Sequence, residues 1–297
     1  MKQKILITGS NGLLGQKLVE LIIEKGTFDL VATGRGQNRL SKLKDKYIYE
    51  SLDITSKEAV DDIVKKYKPV VIIHTAAMTN VDQCELEKEN CWVQNVVATR
   101  NIAEAARDNQ AFLVHLSTDF IFDGTKGPLA EDEKAAPLSF YGYSKLAAEE
   151  IVTKMEGLKW AIARTVLVYG IAEDMSRTNI ILWVKKSLEE KKTIKVVDDQ
   201  FRTPTLAEDL AMGCYLIAEK GAEGVFNISG KDFLTPLEMA YKTADFFKLD
   251  KSFITKADST TFTQPAKRPP RTGFIIDKAK SVLGYNPRSF DEGIAIL

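Results

Sequence analysis

The chain opens on a short apolar run, a glycine-rich turn and a helical pattern. KILIT (Lys4 to Thr8) leads into Gly9, Gly12 and Gly15, and an amphipathic segment runs from Leu13 to Lys25. This feature constrains the fold more than any other. A strand that feeds a helix through a glycine turn is the first unit of a doubly wound α/β sheet. The first 165 residues keep that rhythm. LVAT (Leu30 to Thr33), a short run near Tyr47 to Glu50, VVIIH (Val70 to His74), AFLVHLS (Ala111 to Ser117) and KWAIART (Lys159 to Thr165) read as strands two to six. Between them lie helical patterns at Ser56 to Tyr67, Trp92 to Asn109 and Ser139 to Lys154; Ser56 is a natural N-cap, with Glu58 in the first turn. Continuous apolar strands alternating with helices predict a parallel sheet covered on both faces.

Beyond residue 170 the rhythm breaks. Helices near Thr178 to Glu190, Leu206 to Glu219 and Pro236 to Phe247 are separated by short strands at Ile194 to Val197 and Val225 to Ile228. Thr261 to Gly273 holds three prolines and three basic residues and reads as a loop. A last amphipathic helix begins near Phe290. The expected fold is therefore α/β: a Rossmann-type doubly wound parallel sheet with a smaller C-terminal α+β lobe. Residues 1–170, completed by parts of 193–230, would form the cofactor domain, and 171–297 a discontinuous substrate-binding lobe.

Bulk properties exclude several classes. Lys+Arg 41 balances Asp+Glu 41, so no global field favours nucleic acid or an acidic membrane. The N-terminus runs straight into a strand without a signal peptide, and no apolar run approaches the roughly 18 residues of a membrane span. Cys84, Cys91 and Cys214 are an odd, sparse set that fits reduced, buried thiols in a cytoplasm. His74 and His115 sit in apolar strands and read as satisfied buried histidines. Without a third ligand at metal spacing, no catalytic metal is expected. Trp92, Trp160 and Trp183 read as packing residues.

The glycine turn has the spacing G-x-x-G-x-x-G. Glycines there permit positive φ and close approach of backbone N–H groups to a pyrophosphate, which then faces a helix N-terminus. Gly9, Asn11, Gly12, Leu13, Leu14 and Gly15 are the expected contacts. Arg35 stands 20 residues beyond Gly15, where an acid would grip the ribose 2′-hydroxyl of NAD. With Arg39 nearby, it suits a 2′-phosphate instead, so NADP(H) is expected over NAD(H). Asp53 and Ile54 follow the third strand, beside the expected adenine. Ala76, Ala77 and Thr79 follow the fourth, where small side chains admit a ribose and nicotinamide.

In mid-chain, STDFIFDG (Ser117 to Gly124) precedes YGYSK (Tyr141 to Lys145). Tyr141 and Lys145 are i and i+4 on a helix and share a face. An ammonium beside a phenol favours the phenolate and should lower its pKa from about 10. Tyr141 could then protonate a carbonyl oxygen. Lys145 could also hold a nicotinamide ribose, and Thr118, at a strand end, could orient the same carbonyl. Tyr143 is two residues from Lys145 and faces away.

With these residues the chain resembles the extended short-chain dehydrogenase/reductase superfamily, and within it the dTDP-4-dehydrorhamnose reductase family. The likeness rests on GSNGLLG, HTAAMTNVDQCE (His74 to Glu85), STDFIFDG, YGYSK, RTVLVYG (Arg164 to Gly170) and DQFRTPT (Asp199 to Thr205). It implies Thr118, Tyr141 and Lys145 as the catalytic trio, and a nucleotide-sugar pocket between the lobes. It also implies NADPH-dependent reduction of a sugar C4 ketone, dTDP-4-dehydro-L-rhamnose to dTDP-L-rhamnose. Asp119, Phe120, Arg202, Arg268 and Arg271 are the implied substrate contacts, with Lys267 a further cation. The family's 4,6-dehydratase relatives carry Thr-Asp-Glu at the strand end; Phe120 can serve as neither acid nor base.

Three departures matter. Phe120 replaces the usual Tyr. Arg268-Pro269-Pro270-Arg271-Thr272 replaces an Arg-Pro-x-Asn-Ser pattern. Lys17 replaces a glutamate that bridges a magnesium-linked dimer in some members, so neither that metal nor that dimer carries over, and the chain is expected to be a monomer or homodimer. The alternatives are a reductase or epimerase of another nucleotide sugar, or an NADP-binding regulatory subunit of the same fold.

Overall fold

A computed structural model describes residues 2–175 and 178–297. The chain runs β1 (Lys4–Thr8), α1 (Leu13–Lys25), β2 (Asp29–Gly34), β3 (Ile48–Ser51), α2 (Lys57–Tyr67) and β4 (Val71–His74). Two short helices follow, α3 (Val81–Leu86) and α4 (Lys88–Trp92); a π-helical turn at Val93–Val97 joins α4 to α5 (Ala98–Asp108). Then come β5 (Phe112–Thr118), α6 (Phe140–Lys154), β6 (Trp160–Thr165) and β7 (Val168–Tyr169). The C-terminal part holds α7 (Ile180–Glu189), β8 (Ile194–Val197), β9 (Thr205–Leu206), α8 (Ala207–Lys220) and β10 (Gly224–Asn227). It closes with α9 (Pro236–Phe247), β11 (Ile254–Ala257) and α10 (Phe290–Ile294).

Seven strands form one parallel sheet in the order β10-β6-β5-β4-β1-β2-β3. The period-2 geometry of a strand explains its burial on both sides. Ile5, Ile7, Ile73 and Val114 pack with Leu18 and Ile22 of α1 and Leu210 and Ile217 of α8. Leu6, Ile72, Leu113 and Ile162 face Val60 and Val64 of α2 and Ile102 and Ala106 of α5. The chain winds outward from β1 to β3, then returns to β4 on the other side of β1. That reversal opens a crevice at the carboxyl ends of β1 and β4, the place where such sheets bind ligands.

Val225 to Ile228 lies within 193–230, the stretch expected in part to complete the cofactor domain; β10 pairs with β6 and forms an edge of the main sheet. β8 pairs with β11 in a separate two-stranded sheet. Val184, Leu188, Val196, Leu237 and Ile254 make that lobe's small core. A second apolar cluster, with Tyr169, Ile181, Leu206, Met239 and Phe290, joins β7 and β9 to α7, α9 and α10. The expected helix over Trp92 to Asn109 is interrupted by the π turn: Trp92 ends α4, and the rest is the π turn and α5. No helix of the described residues is long and apolar enough to cross a membrane.

Candidate active site

The crevice is a cavity of about 640 Å³ that runs from the glycine turn to the ends of β5 and β6. Gly9, Gly12, Leu13, Leu14 and Gly15 line one end. Gly9 holds φ +76°. At Gly15 an added Cβ would stand 2.2 Å from the Gly9 carbonyl oxygen and 2.6 Å from Ser10 Cα. No side chain caps α1, so its first N–H groups are available to an anion. A diphosphate fits this cradle. Gly15→Ala should force the turn open, cost about 2 kcal/mol of stability and weaken dinucleotide binding at least about tenfold. A denaturant midpoint and a fluorescence titration read the two effects.

Arg35, Ile54, Ala76, Ala77 and Thr79 also line the cavity. Asn11 and Asp53 do not, and their bonds explain why. Asn11 Nδ2 donates to the Arg35 carbonyl at 3.2 Å and the Gln37 carbonyl at 2.9 Å, and Asn11 Oδ1 accepts from Arg39 N at 3.0 Å. Asn11 therefore braces the loop that carries the two arginines. Asp53 accepts from Thr55 N at 2.9 Å and Thr55 Oγ1 at 2.7 Å, which hold its carboxyl below the usual range; Arg35, 3.5 Å away, adds to this. These bonds close a turn at the end of β3. Arg39 pairs with Asp174 at 3.4 Å.

The other end of the cavity is built on β5 and α6. Ser139 Oγ accepts from Gly142 N at 3.3 Å and Glu85 of α3 accepts from Phe140 N at 2.9 Å, so α6 begins on two oxygen acceptors. Tyr141 in the first turn and Lys145 one turn on face the cavity with Thr118, Asp119 and Phe120. Tyr143 points outward and stacks on Trp92, with ring centroids 5.8 Å apart. Asn95, set by the π turn, donates to Ser144 Oγ at 3.0 Å and to the Met78 carbonyl at 3.1 Å, locking α6 to the loop after β4. Gln94 lines the cavity and accepts from Arg35 at 3.1 Å. Neither residue was expected from the sequence, because a regular helix carries no sign of where a π turn will shift its register.

The expected lowering of the Tyr141 phenol is not what the structure shows. Burial pushes it well above its ordinary value, Asp119 adds to this, and the hydrogen bond with Thr118 works the other way. The Lys145 ammonium is turned to the Leu116 carbonyl, 2.6 Å away, and burial brings it down to about 8. A raised phenol stays protonated at neutral pH, which is the form that can donate. Thr118 Oγ1 donates to Asp119 Oδ1 at 3.1 Å, so Asp119 sets the direction of that hydroxyl.

The implied substrate contacts divide. Phe120 forms a cavity wall and meets Tyr141 edge-on at 5.7 Å. Asp119 is buried among Thr118, Thr272 and Arg202, whose Nε is 3.6 Å away. Arg202 is 5% exposed and donates to the carbonyls of Phe201, Pro269 and Pro270. It lines neither this cavity nor the adjoining one described next; its bonds brace the loop at 269–270. Arg271 stacks over Phe201 at 4.4 Å and Phe233 at 5.2 Å. Arg268 is held by Asp82 of α3 through both carboxylate oxygens, at 3.1 and 2.7 Å. It lines a second cavity of about 740 Å³, which shares Leu167 and Val168 with the first and is walled by Trp183 and Phe262. Trp183 is thus a cavity residue, 36% exposed, and not lobe packing. Lys267 is exposed.

Cys84 and Cys91 are buried, but against Tyr141, and the hydrogen bond with Cys84 brings the Cys91 thiol down to about 7. His74 is satisfied at both nitrogens by Thr8 and Thr99. His115 is not: its Nδ1 finds no hydrogen-bond partner among the described residues.

The geometry has relatives. The chain is 33% identical over 258 residues to methionine adenosyltransferase 2 subunit beta of Xenopus laevis, covering 85% of this chain and 74% of that one. It is 29% identical to dTDP-4-dehydrorhamnose reductase of Aggregatibacter actinomycetemcomitans, covering 98% and 97%. The crystal structure of dTDP-4-dehydrorhamnose reductase from Bacillus anthracis str. Ames in complex with NADP superposes with a TM-score of 0.86 at 28% identity, over 100% of this chain and 98% of that one. The RmlD substrate binding domain matches residues 3–297, and the chain belongs to that family.

Proposed function

We propose that this protein is an NADPH-dependent reductase of the C4 ketone of a nucleotide-linked 4-keto-6-deoxy sugar, with dTDP-4-dehydro-L-rhamnose the favoured substrate. The observation that carries the reading is the meeting of a diphosphate-fitting glycine turn with Thr118, Tyr141 and Lys145 in one cavity. The reductases of the same family, alike over nearly the whole chain, support it. When bound, the dinucleotide supplies the hydride that ends on the sugar C4.

The chain's own residues do the rest. Gly9, Gly12, Leu13, Leu14 and Gly15 would cradle the diphosphate. Ile54, Ala76, Ala77 and Thr79 would line the adenosine and ribose path. Tyr141 Oη gives its proton to the C4 oxygen, Thr118 orients that oxygen, and Lys145 holds the nicotinamide ribose and offers positive charge to the phenolate left behind. Phe120 keeps water from the carbonyl. In this reading residues 1–170, with β10, hold the cofactor, and much of 171–297 holds the sugar nucleotide, the base lying in the second cavity between Trp183 and Phe262. Three buried cysteines in the thiol form support a cytoplasmic setting.

NADP(H) is preferred because two guanidinium groups flank the adenosine end and the nearby acid, Asp53, is turned into its own loop. The Arg35–Asp53 pair is 66% and 51% exposed, so it is weak and readily exchanged for a phosphate. Arg35→Ala should weaken NADPH binding about tenfold to a hundredfold and leave NADH binding within about twofold. Fluorescence titration with both nucleotides checks this. Equal losses for the two would remove Arg35 from the 2′-phosphate.

One observation favours a second reading: the likeness to methionine adenosyltransferase 2 subunit beta. Turnover of enzymatically generated dTDP-4-dehydro-L-rhamnose, followed by loss of nicotinamide absorbance, separates the two. Tight NADPH binding without turnover, and a stable heteromeric complex in gel filtration with cell extract, would favour the subunit.

A further inference from the structure

We infer that His115 is a positioning residue for Lys145: its Nε2 accepts one ammonium proton and, with the Leu116 carbonyl, fixes Nζ at the cavity floor. The inference rests on the reductase reading for its effect on turnover, but not for its geometry.

Lys145 is 4% exposed and its ammonium has three protons and no lone pair. One proton goes to the Leu116 carbonyl at 2.6 Å. His115 Nε2 lies 3.4 Å from Nζ. The chemistry settles the tautomer. An Nε2–H would set donor against donor, so Nε2 carries the lone pair and Nδ1 the proton. That Nδ1–H is the buried group without a partner among the described residues. A side chain kept only for packing would do better as leucine, which buries no unpaired donor. The orphan N–H is the cost of presenting a lone pair to Lys145. With two protons committed, the third is left for the cavity.

His115 is itself held in place. His74 is its neighbour across the β4–β5 pair, and the two rings lie 5.4 Å apart. Thr99 donates its hydroxyl proton to the Asn95 carbonyl at 2.6 Å, so His74 Nε2 carries a proton and donates to Thr99 Oγ1 at 3.3 Å. His74 Nδ1 then accepts from Thr8 Oγ1 at 2.7 Å. Burial and the Lys145 charge hold both imidazoles far below their ordinary values, His74 at about 3, so both are neutral. The titratable groups around Lys145 are Glu149 one turn along α6, paired with Arg164, Tyr141 one turn before, Cys91 on α4, and the two histidines. Among them His115 offers Nζ a neutral acceptor.

The test uses full-length protein with lysine labelled at the ε-carbon, the Lys145 signal being assigned with Lys145→Arg. In the parent, burial brings the ammonium down to about 8, where the titration should find it. An acceptor favours the charged form, so His115→Leu should lower that midpoint by about one unit. The alkaline limb of the kcat profile should move with it, losing about tenfold above both midpoints. His115→Gln places an amide oxygen where Nε2 stood and should restore both. His115→Asn falls short of that place and should behave like leucine. If leucine does not fold, the glutamine–asparagine contrast carries the same information. A midpoint that is the same in all variants, with only thermal stability changed, would overturn the inference. If the parent binds NADPH but turns over no 4-keto sugar, the reductase reading fails, and the titration still decides the role of His115.

Discussion

Tyr141→Phe should lower turnover by about three orders of magnitude, the middle of the range for a positioned general acid, while NADPH binding stays within about twofold of the parent. The ring is held by packing that the hydroxyl does not supply. Phe120 meets it edge-on, and Cys84 and Cys91 lie against it. Phenylalanine keeps all of this, so only the proton donor is lost. The pH dependence has a definite sign. Burial raises the phenol, so the donating form does not run out as pH climbs through neutrality. The group that does change is Lys145, which loses its charge as pH rises through about 8. Turnover should therefore be flat below that point and fall above it. Loss of nicotinamide absorbance with a 4-keto sugar nucleotide measures the rate, and a fluorescence titration measures binding. A variant that keeps a third of parent turnover would place the acid elsewhere, with Thr118 the next group to replace.

The glycine turn, the six leading strands and the Tyr141–Lys145 face were legible because each follows from local spacing: continuous apolar strands, glycines at i and i+3, and an i, i+4 helix pair. What was not legible depends on contacts far apart in sequence. Arg202 reads as a free cation, yet the carbonyls of Pro269 and Pro270 close around it. Asn11 reads as part of the dinucleotide turn, yet the loop at 35–39 takes both ends of its amide. Strand β7 and strand β9 are two residues each and pair only with one another, too short for any periodic signal. The environment of Tyr141 and Lys145 differs from the sequence expectation for a related reason. Sequence spacing brings an ammonium near a phenol, but the direction of Nζ is set by Leu116 and His115 on β5, which the spacing does not contain.

Arg164→Met should destabilise the protein by about 3–5 kcal/mol, the range for removing one partner of a buried ion pair. Arg164 and Glu149 are 9% and 5% exposed at the side chain and meet through two bonds, Nε to Oε1 at 3.0 Å and Nη2 to Oε2 at 2.7 Å. Nη1 also donates to the Glu131 carbonyl at 2.8 Å. The pair ties α6, which carries Tyr141 and Lys145, to β6 and to the segment that accepts the β10 edge through Glu131 and Asn227 N, 3.0 Å apart. Removing the guanidinium leaves a buried carboxylate without its hydrogen-bonded partner, and that desolvation cost dominates. Replacing both partners, Arg164→Met with Glu149→Leu, removes the stranded charge as well and should recover most of the loss. The two variants separate in function too. Glu149 is among the groups that raise Lys145 toward its ordinary value, so its loss should move the alkaline limb of turnover to lower pH even where stability returns. Urea midpoints on the two single variants and the double variant, with a pH profile on each that folds, measure both effects. A double variant no more stable than Arg164→Met alone would mean that the bond to Glu131, and not the ion pair, is what anchors α6.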